Sequence, residues 1–206
     1  MVAAAFPPEA ADRVAAMYAG LRAAARRFGV KIVGGETSRT PGPIGLTVTV
    51  AGAVEKAAAL RRSGGRPGDA LFVTGKLGGS IGGRHLRFTP RLAEGRWLAL
   101  HARPSAMMDL SDGLAADLPR LARASRCGYR LEPGALPRHR GVTPAGAAAD
   151  GEDYELLAAV PARRAAAVQR AFAAAFPRTP FTRIGQLAPA GCAEPAFDVP
   201  GYDHFA

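Results

Sequence analysis

From residue 70 onward the chain alternates short apolar runs with longer segments of helical period, and that alternation restricts the fold more than any other feature. Residues 70–74, 106–110, 128–132, 154–160 and 182–188 read as strands, and residues 90–101, 113–125 and 162–176 as helices. In 113–125 the leucines Leu114, Leu118 and Leu121 recur at helical spacing. The expectation is a layered, mixed α/β domain, with no feature that sets the strand order.

The first third reads differently. Val14, Met17, Tyr18, Leu21 and Phe28 mark one face of a helix over 9–28, which Gly29 stops. A short apolar run at 31–33 leads into Gly34-Gly35-Glu36-Thr37-Ser38-Arg39, Pro41 and Pro43 turn the chain, and 44–54 alternates like a strand with one buried face. The turn-rich basic stretch 61–69 reads as a boundary between units. With 206 residues, there is room for one domain plus part of a second, so the division expected is 1–57 and 58–206.

Composition removes several function classes. Met1–Pro8 has no basic lead and only a five-residue apolar run, and no later run reaches the roughly 18 apolar residues of a membrane span. A cytoplasmic protein with no membrane partner is expected. Cys127 and Cys192 stand alone, without the pairing or nearby histidines of a zinc site or a disulfide framework. The formal charge of +10 comes mostly from arginine and points to anionic partners. Because the arginines are scattered, the aromatics few and nucleic-acid motifs absent, phosphorylated small molecules are favoured over nucleic acid.

Three segments carry side chains suited to phosphate chemistry. In Met107-Met108-Asp109-Leu110-Ser111-Asp112-Gly113-Leu114 an apolar strand ends in two carboxylates and a hydroxyl, just before a helix begins. Two acids three apart can hold Mg²⁺ through oxygen, and a helix start attracts phosphate; equally, Ser111 or Asp112 could merely cap the helix. The second segment, Asp150-Gly151-Glu152-Asp153-Tyr154-Glu155-Leu156, crowds four acids at a strand mouth. There Asp153 and Glu155 are expected to face solvent while Tyr154 and Leu156 face in, leaving Glu152 as the candidate ligand contact. The third, a glycine loop over 75–83, matches neither the P-loop nor the dinucleotide pattern and reads as a connector at least as well as a phosphate cradle.

Taken in order, the motifs resemble those of the thiamine-monophosphate kinases, a family of the aminoimidazole ribonucleotide synthetase-like superfamily. Gly34–Arg39 resembles GGDTTR, Arg62–Asp69 resembles RSGAxPGD, and Val73–Gly78 resembles VTGxLG. Asp109–Leu114 resembles DxSDGL, Gly151–Leu156 resembles GEDYEL, and Gly201–Phe205 resembles GYDHF.

The resemblance implies that residues 58–206 form the superfamily's layered sheet-and-helix C-terminal domain, with 1–57 a remnant helix and strand of its N-terminal, nucleotide-binding and dimerising domain. It also implies roles. Gly35, Glu36, Arg62 and Ser111 would contact ATP; Glu36, Asp109 and Asp112 would hold Mg²⁺; Glu152 and Tyr202 would line the thiamine site. The reaction would be in-line transfer of the γ-phosphoryl group from ATP to thiamine monophosphate, without a protein nucleophile. A homodimer through the N-terminal domain is implied as well.

One departure is Glu36, where the family has aspartate. A second is length, since the family begins with a further stretch that carries metal-binding acids. These 206 residues alone are therefore expected to be inactive. The alternative from another class is a non-catalytic protein, derived from the kinase, that binds thiamine phosphates or a partner.

Overall fold

A computed structural model describes residues 1–55 and 58–194, of which 193 and 194 are described by backbone only. The chain falls into two compact units, Met1–Val54 and Glu55–Ala206.

In the first unit the central strand is β1 (Val2–Phe6), flanked by β2 (Gly35–Arg39) in parallel and β3 (Gly45–Val48) in antiparallel register. The opening run, read above only as too short for a leader or a span, is thus a strand whose alternate residues Val2, Ala4 and Phe6 are buried. Between β1 and β2 runs helix α1 (Ala11–Arg27). Its half-buried positions include Val14, Met17, Tyr18 and Leu21, the face that the periodicity marks, yet no α1 residue is fully buried.

The apolar run 31–33 forms no element, and the Gly35–Arg39 motif, which carried no strand expectation, is β2. One correction follows for this unit. The segment 44–54 contributes only the four residues of β3, and none of its face is buried: Ile44, Leu46, Val48 and Val50 are all exposed. Alternation predicts a strand; which face is covered depends on what lies against it.

The second unit is built on a six-stranded sheet of order β5-β7-β4-β8-β6-β9. Its strands are β4 (Ala70–Thr74), β5 (Ala106–Asp109), β6 (Gly128–Leu131), β7 (Leu156–Val160), β8 (Phe181–Ala188) and β9 (Ala193–Glu194). Every pairing is antiparallel except β6 with β9.

β4 lies between β7 and β8 and is buried along its whole length, as a strand covered on both faces must be. Its period of two divides the core. Leu71 and Val73 join Met108, Leu157 and Ile184 on one face, where helix α3 (Leu114–Ala124) lays down Leu114, Leu118 and Leu121. Ala70 and Phe72 join Val160 and Phe181 on the other. There helix α5 (Ala162–Ala175) supplies Val168 and Phe172, and helix α2 (Leu92–Trp97) continues as a π-helical turn, Leu98–Ala102, that supplies Leu98. A short helix α4 (Pro144–Ala149), absent from the sequence reading, packs Ala147 and Ala148 into the α3 side. Among the described residues no helix is long and apolar enough to cross a membrane.

Candidate functional site

The layered sheet brings the two acidic motifs together. Because β5 and β7 are antiparallel neighbours, with Asp109 opposite Leu156, the end of one strand lies beside the start of the other. The ladder runs on past both strands. Leu110 N–H donates to Glu155 O at 2.8 Å, Tyr154 N–H to Leu110 O at 2.8 Å, and Glu152 N–H to Ser111 O at 2.7 Å. Two loops 40 residues apart in sequence are zipped into one surface.

Neither Ser111 nor Asp112 caps α3. The capping position falls on Gly113, at φ 90°, where an added Cβ would meet the carbonyl oxygens of Ala149 and Asp150 at 2.8 Å. The turn is instead held by Asp117, a fully buried acid in the first turn of α3. Its carboxylate accepts from Ser111 N–H at 2.9 Å and Asp112 N–H at 3.0 Å, using the free amides and positive end of the helix. Arg120, one turn on, donates to Asp117 at 2.7 Å and to Asp112 at 2.5 Å. The sequence reading missed Asp117 and Arg120; an acid in a first helical turn with an arginine three residues later is the signal that was available.

The acid loop differs from expectation. Asp153 and Glu155 are buried, while Tyr154 and Leu156 are only half-buried, the reverse of the alternation inferred above. Distant donors explain the reversal. Asp153 accepts from Gly78 N–H at 2.8 Å and Ser80 Oγ at 2.5 Å, and burial still holds its carboxyl above the usual aspartate range. Glu155 takes a bidentate fork from Arg91, at 2.7 and 2.6 Å, and a hydroxyl hydrogen bond from Thr74 at 2.6 Å. The glycine-loop amides of Gly78 and Gly79 thus point at protein carboxylates, Asp153 and Asp150, rather than at open space.

Glu152 stands apart from these three. Its backbone is in the left-handed region at φ 67°, as is Tyr154 at 51°, an uncommon conformation for side chains of this size. The Tyr154 hydroxyl donates to Glu152 at 2.7 Å. Its pKa is pushed up to about 12, first by that hydrogen bond, then by burial, and then by the negative charges of Glu152, Asp109 and Asp112. Three carboxylates from the two motifs therefore converge on one region of negative potential.

The remaining candidates lie elsewhere. Arg62 is exposed beside the edge of β5, where Arg61 O accepts from Met107 N–H at 2.9 Å and Arg62 O from the Ser125 hydroxyl at 3.0 Å. Gly35 and Glu36 belong to the first unit. Gly35 sits opposite Val2, where an added Cβ would fall 1.8 Å from Val2 O, so the position admits only glycine. Glu36 is exposed on β2 and accepts from the Ser38 hydroxyl at 3.3 Å. Tyr202 and the Gly201–Phe205 motif lie outside the described residues. Among the described residues no three histidine, cysteine or acidic side chains are grouped to hold a metal ion.

The family model of the AIR synthase related protein, N-terminal domain, matches residues 1–54. The thiamine-monophosphate kinase of Rhodopirellula baltica is 38% identical over 198 residues, covering 91% of this chain and 61% of that kinase. The crystal structure of the thiamine-monophosphate kinase of Stenotrophomonas maltophilia superposes with a TM-score of 0.75 at 30% identity, covering 98% of this chain and 72% of that one. The structure of AaThiL complexed with AMPPCP and TMP gives a TM-score of 0.70 at 25% identity, covering 100% and 72%. The chain belongs to the thiamine-monophosphate kinase family. It spans less than two thirds of the length of the kinases of Rhodopirellula baltica and Salmonella typhimurium, 61% and 65%.

Proposed function

We propose that this chain serves the ATP-dependent phosphorylation of thiamine monophosphate to thiamine diphosphate. The observation that carries the reading is the backbone ladder that joins the Asp109–Leu114 and Gly151–Leu156 motifs, two of those that carry the resemblance, into one acidic surface, with Glu152 held on the Tyr154 hydroxyl at 2.7 Å. AaThiL, complexed with AMPPCP and TMP, supports the same pair of substrates.

Oxygen donors in a region of negative potential fit Mg²⁺, for which Asp109 and Asp112 in the second unit and Glu36 in the first are the proposed ligands. When bound, the ion would neutralise charge on the phosphates. The chain's own part is positioning. Asp117 fixes the Ser111–Asp112 turn, so that Ser111 is placed to meet the nucleotide along with the exposed Arg62, and Arg120 holds Asp112 in position. Gly35 and Glu36 would contact ATP. Glu152, held in place by Tyr154, would face the thiamine end with Tyr202. Both substrates are water-soluble phosphates, in keeping with a cytoplasmic setting, and a homodimer through the first unit agrees with the exposed apolar face of β3.

With Glu36, Asp109 and Asp112 as its candidate metal ligands, too few for the set the family carries, we expect the 206 residues by themselves to turn over poorly. The test is a chimera that adds the portion of the Rhodopirellula kinase which the match leaves out. It should form thiamine diphosphate from ATP and thiamine monophosphate, and Asp109→Asn should cut that rate by about 10²-fold or more at unchanged melting temperature. A folded chimera without product, or an Asp109→Asn form with a normal rate, would overturn the reading.

A further inference from the structure

Beside the acid loop, whose Asp153, Tyr154 and Glu155 line it while Asp109 and Asp112 do not, the second unit opens into a cavity of about 770 Å³, a size typical of small-molecule sites. Its charge is lopsided. Among the described residues, Lys76, Arg84, Arg87, Arg91 and Arg178 line it, against two carboxylates, Asp153 and Glu155.

Both acids are already committed. Asp153 is taken up by Gly78 and Ser80, and Glu155 by Thr74 and Arg91. Arg84 spends one N–H on the Gly78 carbonyl and keeps the rest of its guanidinium. Lys76, Arg87 and Arg178 are exposed and form no ion pair with an acid among the described residues. His139, on the same wall, is held below the usual histidine range by burial and then by Arg84 and Lys76, a sign of positive potential. The ring of Phe88, 38% exposed and stacked on Tyr154 at 4.4 Å, adds a flat apolar surface at the cavity wall.

Cations held around one cavity repel one another, and within a Debye length of about 8 Å salt relieves little of this. An anion with several oxygens would relieve it and offer the guanidinium groups their preferred paired acceptors. We propose that this cavity is a second anion site, separate from the Asp109–Asp112 pair, and that it binds a diphosphate group through Lys76, Arg84, Arg87 and Arg178. No metal is needed, because the protein itself supplies the countercharge.

The experiment is calorimetric titration of the full chain with inorganic pyrophosphate, with a chelator present so that no metal can bridge phosphate to the acid pair. Saturable binding should occur, stronger than for orthophosphate, and should fall by about 10-fold or more in the Arg87→Ala, Arg178→Ala double variant, since each charged hydrogen bond contributes about 1.5–3 kcal/mol. Asp109→Asn should bind as the wild type does. Lys76→Gln provides a second variant should the arginine pair fold poorly. A parallel titration with ADP assigns the source: tighter binding than pyrophosphate means an organic diphosphate resting on Phe88, and weaker binding means the inorganic ion. Absence of pyrophosphate binding at millimolar concentration, equal affinity in the cavity variants, or loss of binding in Asp109→Asn would overturn the proposal.

Discussion

The two units handle the same raw material, alternating apolar residues, in opposite ways. In Glu55–Ala206 the sheet is covered on both faces, and Leu71, Leu118, Leu121, Phe172 and Ile184 are all fully buried. In Met1–Val54 the strands bury little beyond Val2, Ala4 and Phe6, α1 buries no residue fully, and Ile44, Leu46, Val48 and Val50 face outward. Hydrophobic stabilisation follows area removed from water, so the second unit carries most of it. The first unit has the sequence of a core element but keeps its apolar face exposed, which is the pattern of a surface built to be covered.

Leucine truncation breaks this comparison most sharply. Leu118→Ala removes a side chain with no solvent exposure and leaves a cavity, and should destabilise the second unit by about 2–5 kcal/mol. Leu46→Ala, at 44% exposure, should cost well under 1 kcal/mol. Denaturant unfolding of both variants measures the contrast, and similar losses would mean that the first unit is as well packed as the second. The next effect is electrostatic. Asp117→Asn keeps the shape but removes charge from bonds to two amides and Arg120, and should cost about 1.5–3 kcal/mol while loosening the Ser111–Asp112 turn. Retained stability with weaker nucleotide binding would assign Asp117 to the site alone.

How much of this was legible in sequence follows from the range of the interactions. The helices at 114–124 and 162–175 and five of the six sheet strands were readable because their signal is periodic and local. Strand order was not, because which strand neighbours β4 depends on residues far along the chain. The site divides in the same manner. Asp109, Asp112 and Glu152 could be picked out as candidates from motifs, but that Asp153 and Glu155 turn inward was not readable, since their donors lie 64 to 81 residues away at Arg91, Gly78 and Thr74. An acid before a strand looks solvated until its partner is known.

The acid site gives a smaller, pH-dependent effect. Tyr154 ionises near 10.0 in the unfolded chain and near 12 when its hydroxyl donates to Glu152. The unfolded state therefore gives up its proton first, and the stability this pair contributes is full below pH 10 and is lost as pH rises towards 12. Tyr154→Phe should flatten that part of the stability profile and leave neutral pH almost unchanged. An identical decline in both proteins would mean that other groups carry it and that the Glu152 contact contributes little.

The smallest effect on stability, and the one that tests what covers the first unit, belongs to Val48. It is half exposed on β3, an edge strand, in line with Ile44, Leu46 and Val50. The same strand borders an apolar groove of about 700 Å³, lined also by Leu21, Phe28, Val30 and Val33. An open edge with an apolar face invites pairing with another chain, and one inserted lysine is a common way to block it. Val48→Lys should change unfolding free energy by no more than about 0.5 kcal/mol, because the side chain already reaches solvent. Self-association should respond far more. If this face joins two copies, sedimentation of the wild-type chain shows a concentration-dependent dimer that the lysine abolishes at unchanged melting temperature. If both proteins sediment as monomers at every concentration, the exposed face is not a self-association surface, and the contrast between the two units reflects weak packing alone.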